Sequence, residues 1–308
     1  MFFIRISIVR ASRFEPAFLY GALAVLLWST VSTAFKLSLR YLSPLGLLFF
    51  SSLVSTLFLF AYLFIFHRNL IGKEHLKNLT LSLKAGILNP FVYYLMLFNA
   101  YHRLPAQQAQ VLNYTWAIVL PLMTLGVRKE KLKWRDIGAL IFSFVGVIII
   151  STKGNLRQLD FTDPIGVIIA ISTSVVWAGY WIINMQDQRP AIIKLSYNFL
   201  VGTLFILVWS IAAIGFMDAS WFIPNTAIHW GILAAVWVGI FEMGFTFLIW
   251  YKALEKAPST ASVSNLIFIT PFLALVFIRI ILREPIFPAT IIGLMMIIAS
   301  NILQKIKR

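Results

Sequence analysis

Glu242 carries more chemical potential than any other residue in the chain. It belongs to a set of only eleven acidic residues, and the other ten fall in polar joints or at the ends of apolar stretches. Glu242 instead stands at the fifteenth of the 24 residues 228–251, about 4 Å from the middle of that stretch at a helical rise of about 1.5 Å per residue. An ionisable group at such depth costs at least about 2.5 kcal/mol to insert, so it is expected to face a cavity or a partner. Three roles fit a carboxyl there: proton carrier, counter-charge for an amine substrate, or structural partner of a polar neighbour.

Other residues form polar stripes at helical spacing. Trp28, Ser32 and Lys36 recur every fourth residue, with Ser29 and Thr33 beside them, so one helix face is polar. In lipid such a face must meet protein or water, and a substrate vestibule is its useful form. Lys36 either snorkels to the interface or pairs with a substrate carboxylate. Thr173, Trp177, Tyr180, Trp181 and Asn184 repeat the pattern on a later stretch. Trp28, Trp116, Trp177 and Trp237 lie well inside their stretches, where indole N–H groups need partners and ring faces could stack on aromatics or amines; core packing is the plainer alternative. Asn113 with Tyr114, and Asn265 with Ser262, add neutral hydrogen-bonding groups that serve either interhelical bonding or a substrate. Pro90, Pro121 and Pro271 break helical bonding inside apolar stretches and free carbonyls.

These residues need elements to position them, and composition names the elements. Of 308 residues 60% are hydrophobic and 12% charged, against roughly 25% charged in a soluble domain. Mean hydropathy is +0.87, spread along the chain rather than confined to one segment. Ten windows approach the roughly 20 residues needed to cross a bilayer: 17–36, 44–66, 83–101, 107–126, 135–152, 164–185, 193–216, 228–251, 260–281 and 286–303. The expected fold is an all-α polytopic membrane protein with ten transmembrane helices.

The net charge of +15 is unevenly placed. With the first residues inside, 19 Lys and Arg fall in inner segments and 7 outside (Lys36, Arg40, Arg103, Lys153, Arg157, Arg279 and Arg283). Basic residues are retained on the cytoplasmic side, so both termini are expected there, in the plasma membrane, and nucleic-acid binding is not expected. The stretch before Pro16 holds three arginines and no long apolar core followed by a small-residue site, so no cleaved signal peptide is expected.

Landmarks recur at an offset near 154: Pro105 and Pro258, Glu130 and Glu284, Gly138 and Gly293. The chain therefore divides into 1–154 and 155–308, each with five spans, and an odd number of spans inserts the second copy upside down. Inverted repeats of this kind let transporters alternate access around a site near the midplane.

At this point the residues resemble a family. Trp28 and Lys36 in the first span, Asn113-Tyr114-Thr115-Trp116 in the fourth, Pro271 in the ninth and the Glu130 and Glu284 joints look like the drug/metabolite transporter superfamily, in its EamA-like exporter branch. The chain departs from that pattern at Trp116-Ala117, where many relatives place a proline; its own proline is Pro121. The resemblance implies two five-helix repeats and export or exchange of small organic metabolites, amino acids and amphipathic drugs among them, without ATP hydrolysis.

Further absences in the sequence narrow the chemistry. There is no cysteine, no G-x-x-x-x-G-K-[ST] phosphate loop and no H-E-x-x-H, and His67, His75, His102 and His229 are dispersed. No enzyme activity, catalytic residue, cofactor or metal is expected. The expected partners are a small-molecule substrate, the lipid bilayer and, if Glu242 titrates during transport, protons; one chain with both repeats is expected to act as a monomer. The competing readings are a nucleotide-sugar or other organic-anion carrier, a membrane-embedded enzyme, and a non-transporting scaffold.

Overall fold

The computed structural model describes residues 2–72, 78–127, 129, 133–155, 163–214, 221–223, 227–257, 263 and 265–305, with side chains from Pro16 onward. Glu130, Pro258 and Ser262 lie outside the described residues. The chain is a helical membrane protein. Ten principal helices follow in order: α1 Phe2–Ser38, α2 Pro44–Phe66, α3 Leu79–Arg103, α4 Ala106–Val127, α5 Trp134–Ser151, α6 Pro164–Gln186, α7 Ala191–Ile214, α8 Ile228–Lys256, α9 Asn265–Leu282 and α10 Pro288–Lys305. Eight of them are long and apolar enough to cross a bilayer; in α5 and α10 the apolar parts, Ile137–Ser151 and Pro288–Ser300, are shorter.

Several starts follow from local chemistry. Ser43 and Asp163 cap α2 and α6, accepting from the Gly46 and Gly166 amides at 3.1 and 2.9 Å, and a proline follows each cap where a missing N–H costs nothing. Asp163 also binds Arg103 at 3.1 Å. The Gly166 N–H is the main cause holding the Asp163 carboxyl below its usual range; partial burial opposes it, and Arg103 reinforces it.

Joints that should share one membrane face do meet. Leu42 bridges to Phe222, tying the α1–α2 joint to α7–α8, and Glu284 in the α9–α10 joint accepts from the Ala106 N–H at 3.2 Å. Gln107 adds a hydrogen bond to the Pro285 carbonyl at 2.5 Å and accepts from Phe287 N–H at 3.1 Å. At the opposite ends of these helices, Arg189 reaches Ser82 at 2.5 Å and Lys252 reaches Tyr62 at 3.3 Å.

The helices pack in pairs drawn from the two halves: α5 on α10, α2 on α7, and α1 on α8 and α9. Gly138 faces open space, whereas Gly146 is the residue that meets Gly293; a Cβ added at Gly146 would fall 2.9 Å from the Gly293 carbonyl oxygen. Small residues at that point let the two backbones touch.

Three helices are interrupted near mid-length, and a fourth opens on an irregular turn. In α3, Asn89 is extended (φ −145°, ψ 117°) before Pro90, as a residue preceding proline favours. In α4 the break falls at Tyr114–Thr115, while Pro121 sits inside the continuous stretch Trp116–Val127. In α8 a wide turn over Val238–Glu242 runs into Gly244, and α9 opens with the tight turn Asn265–Ile269 ahead of Thr270. Non-helical backbone at this depth is tolerated only where protein or a polar cavity covers it.

Candidate functional site

Such a cavity, of about 90 Å³, lies where the interrupted helices converge. Six helices line it: α1 (Trp28, Val31, Phe35), α3 (Tyr93, Leu97, Tyr101), α4 (Gln110, Asn113, Tyr114, Trp116), α6 (Trp177), α8 (Glu242, Phe247) and α9 (Ile267, Thr270). Glu242 is the midpoint of Ile228–Lys256, and Trp28, Tyr93 and Trp177 lie within two residues of their own span midpoints. The cavity therefore sits at mid-depth by sequence register alone.

Its walls are aromatic. Tyr93 and Trp177 lie 4.6 Å apart between ring centroids, Tyr93 and Tyr94 4.8 Å, and Trp28 and Phe247 5.4 Å in an edge arrangement. Glu242 is the charged residue in this lining, and among the described residues no Lys, Arg or His joins it. The Tyr94 hydroxyl donates to the Glu242 carboxylate at 3.0 Å. A carboxylate held by a phenol beside open aromatic faces can neutralise an ammonium while the rings attract the same cation through their negative faces.

A second layer holds the first. Ser32, Tyr101 and Gln110 form a buried triangle: Ser32 meets Tyr101 at 2.8 Å, Tyr101 donates to Gln110 at 2.6 Å, and Ser32 donates to Gln110 as well. Asn113 donates to Thr173 at 2.9 Å and to the Tyr93 hydroxyl at 3.2 Å, linking α4 to α6 and α3. Ser29 donates to the Thr270 carbonyl at 3.2 Å, and Tyr114 to the Ile267 carbonyl at 3.4 Å, which fixes the start of α9. Each such bond removes a polar group that lipid would penalise.

The residues expected from sequence divide into three groups. Trp28, Asn113, Tyr114, Trp177 and Glu242 are brought together around the cavity, and Ser32 stands directly behind it. Tyr180, Trp181 and Asn184 continue from Trp177 toward the α6–α7 joint, with Trp177 and Tyr180 ring centroids 5.6 Å apart. Lys36, Trp237 and Asn265 are elsewhere. Lys36 is partly buried near the far end of α1 and is not among the residues lining the cavity. Trp237 lies on the perimeter, 39% exposed, donating to Thr30 at 3.0 Å and packed on Phe241. Asn265 is exposed at the opening of α9.

Sequence reasoning missed Tyr93, Tyr94, Tyr101, Gln110, Phe247 and Thr270. One signal was available: Tyr93 and Tyr94 follow Pro90 by three and four residues, the first helical turn after the break. The others carry no such mark, since an isolated Gln or Phe on an apolar helix has no distinguishing period.

Comparison with known proteins agrees with this geometry. The sequence model of the EamA-like transporter family matches residues 16–152 and again residues 164–304. An uncharacterized transporter of Archaeoglobus fulgidus is 28% identical, over 85% of this chain and 88% of its own length. The uncharacterized transporter YoaV of Bacillus subtilis is 24% identical, over 88% and 90%. The biotin transporter of Escherichia coli is 24% identical, over 73% of each chain. A solved crystal structure covers 94% of this chain and 96% of its own, with a TM-score of 0.62 at 19% identity, a likeness of fold alone.

Proposed function

The chain belongs to the EamA-like transporter family, and from that membership we propose that it is a secondary transporter exporting small organic metabolites that carry an amine, amino acids among them. The observation that carries the substrate class is the aromatic cavity with Glu242 as its charged lining residue. An ammonium entering it gains a counter-charge and ring faces together, whereas an anion would meet a carboxylate and no basic side chain among the described residues. That argues against nucleotide sugars and other organic anions as cargo.

The proposed mechanism is alternating access. The cavity draws three helices from each half, and three of the six are interrupted at its level, so either half can tilt against the other about a fixed central site. The proposed arrangement is two inverted five-helix repeats, divided near residue 154, with both termini in the cytoplasm of a plasma-membrane protein acting as a monomer. The outward direction rests on the resemblance to exporters. Either Glu242 exchanges a proton for the amine or it serves as counter-charge alone.

The test is substrate counterflow in proteoliposomes loaded with candidate amines and amino acids. Accelerated uptake of labelled compound against its unlabelled form is expected for cationic or zwitterionic compounds. Counterflow confined to anions would overturn the amine reading, and absence of counterflow for every class would overturn transport itself.

A further inference from the structure

A second polar cluster lies between the cavity and the α6–α7 joint, outside the site described above. Asn89 at the break in α3, Asn184 near the end of α6 and Asn198 in α7 are 0%, 3% and 1% exposed. By ordinary hydrogen-bond geometry the six amide atoms of these three residues have no partner. The Tyr180 hydroxyl is the neighbour toward which Asn184, Asn89 and Asn198 all direct hydrogen bonding, so the three amides converge on one point. A phenol has one proton and two lone pairs and serves at most three of six buried amide atoms, so the rest call for a ligand.

The backbone adds acceptors. Pro90 supplies no N–H to the carbonyl one turn earlier, that of Gly86. Gly202 brings α7 against this turn: a Cβ there would fall 2.7 Å from the Gly86 oxygen. The local charges are already engaged. Arg189 is paired with Asp187 at 2.6 Å and with Ser82 at 2.5 Å, both partners of the ion pair being 3% exposed at their side chains. Lys194 donates to the Asn184 and Asp187 carbonyls at 3.3 Å each.

We propose that Asn89, Asn184, Asn198 and Tyr180 form a binding site for a monovalent metal cation at the break in α3. Hard cations take amide, hydroxyl and carbonyl oxygens. This oxygen set is neutral, which suits a single charge; a divalent ion at this depth would require carboxylates in direct contact. Unwound helix carbonyls coordinate sodium in other transporter folds built from broken helices. The site is separate from the Glu242 cavity but adjoins it through Trp177 and Tyr180, so a cation bound there would fix α3, α6 and α7 relative to one another.

The experiment uses the purified full chain in lipid nanodiscs, melted in NaCl, KCl or MgCl2 at constant ionic strength. A saturable rise in melting temperature with Na⁺ or K⁺ over Mg²⁺ is expected. Tyr180→Phe, which removes one oxygen and keeps the ring, and Asn198→Ala should each raise the half-saturating concentration at least fivefold. Glu242→Gln should leave the cation response in place. Equal melting temperatures in the three salts, or an undiminished response in both site variants, would overturn the proposal. Amine counterflow by wild-type protein in MgCl2 free of Na⁺ and K⁺ reports on the proposed function separately, so the failure of one is distinguishable from that of the other.

Discussion

Helices α2, α5, α7 and α10 run without interruption and take no part in the central cavity, whereas α3, α4 and α8 are broken near mid-length, α9 opens on a tight turn, and all four line it. The outer helices meet through small or simple contacts: Gly146 on Gly293 between α5 and α10, and the Thr56–Thr203 hydroxyl pair at 2.8 Å between α2 and α7. The inner helices give up backbone hydrogen bonds, and Ser, Thr and Tyr side chains bond to carbonyls beside the interruptions: Ser29 to Thr270, Tyr114 to Ile267, Thr115 to Leu112 and Ser174 to Asn113. In a bilayer that exchange is tolerated only around a polar interior. The contrast teaches that the outer pairs hold the two halves together while the inner six supply the site.

Substitutions on the two sides of this contrast should separate by readout. The largest effect is expected at Glu242→Gln, which removes the cavity's charge while keeping its shape. Hydrogen bonds to charged groups contribute about 1.5–3 kcal/mol, so amine affinity should fall by about 10- to 100-fold with melting temperature retained. Titration of a transported amine into the variant checks this, and unchanged affinity would return Glu242 to a structural role. On the outer side, Gly293→Leu pushes α5 from α10; overpacking costs about 1–3 kcal/mol, so melting temperature should drop while amine affinity stays near wild type. An affinity loss as large as that of Glu242→Gln would erase the distinction between the two regions.

A smaller effect belongs to Trp177→Leu. Losing one aromatic face should weaken cationic ligands by about 0.5–2 kcal/mol, with less effect on neutral ones of equal size, and competition between the two checks it. The smallest is at the rim. The folded-state carboxyl of Asp163 titrates below its ordinary range, so its contribution is present above the unfolded value and lost as pH falls through the folded one. Wild type should therefore be more stable than Asp163→Ala at neutral pH, and the gap should close below about pH 4. Because the group is solvent-exposed the gap is small and shrinks with salt; a gap independent of pH would assign it to side-chain packing instead.

The helical membrane fold was legible in the sequence because apolar length is a one-dimensional property, and lipid leaves few alternatives for a chain with such runs. Glu242 was legible for the same reason, as a charge out of place. Trp237 was not, since depth along a helix says nothing about which side of the bundle a residue faces: it shares mid-span depth with Trp28 and Trp177 yet points outward. The contact of Gly146 with Gly293 was not legible either, since an offset that matches Gly138 with Gly293 as repeat landmarks says nothing about which glycine a neighbouring helix meets. The Ser32–Tyr101–Gln110 triangle joins three helices across 69 and 78 residues of sequence, and no local pattern announces a long-range hydrogen bond.

Absence of cysteine in the whole chain opens the most direct measurement of the central claim. Single cysteines placed at Asn113, in the cavity lining, and at Trp237, on the perimeter, can each be treated with a water-soluble thiol reagent in proteoliposomes. The account predicts that the cysteine of Asn113→Cys is modified and is protected by a transported amine, while that of Trp237→Cys stays unreactive in the apolar surround. Modification at Trp237→Cys with none at Asn113→Cys, or labelling of Asn113→Cys that transported amine leaves unchanged, would contradict it.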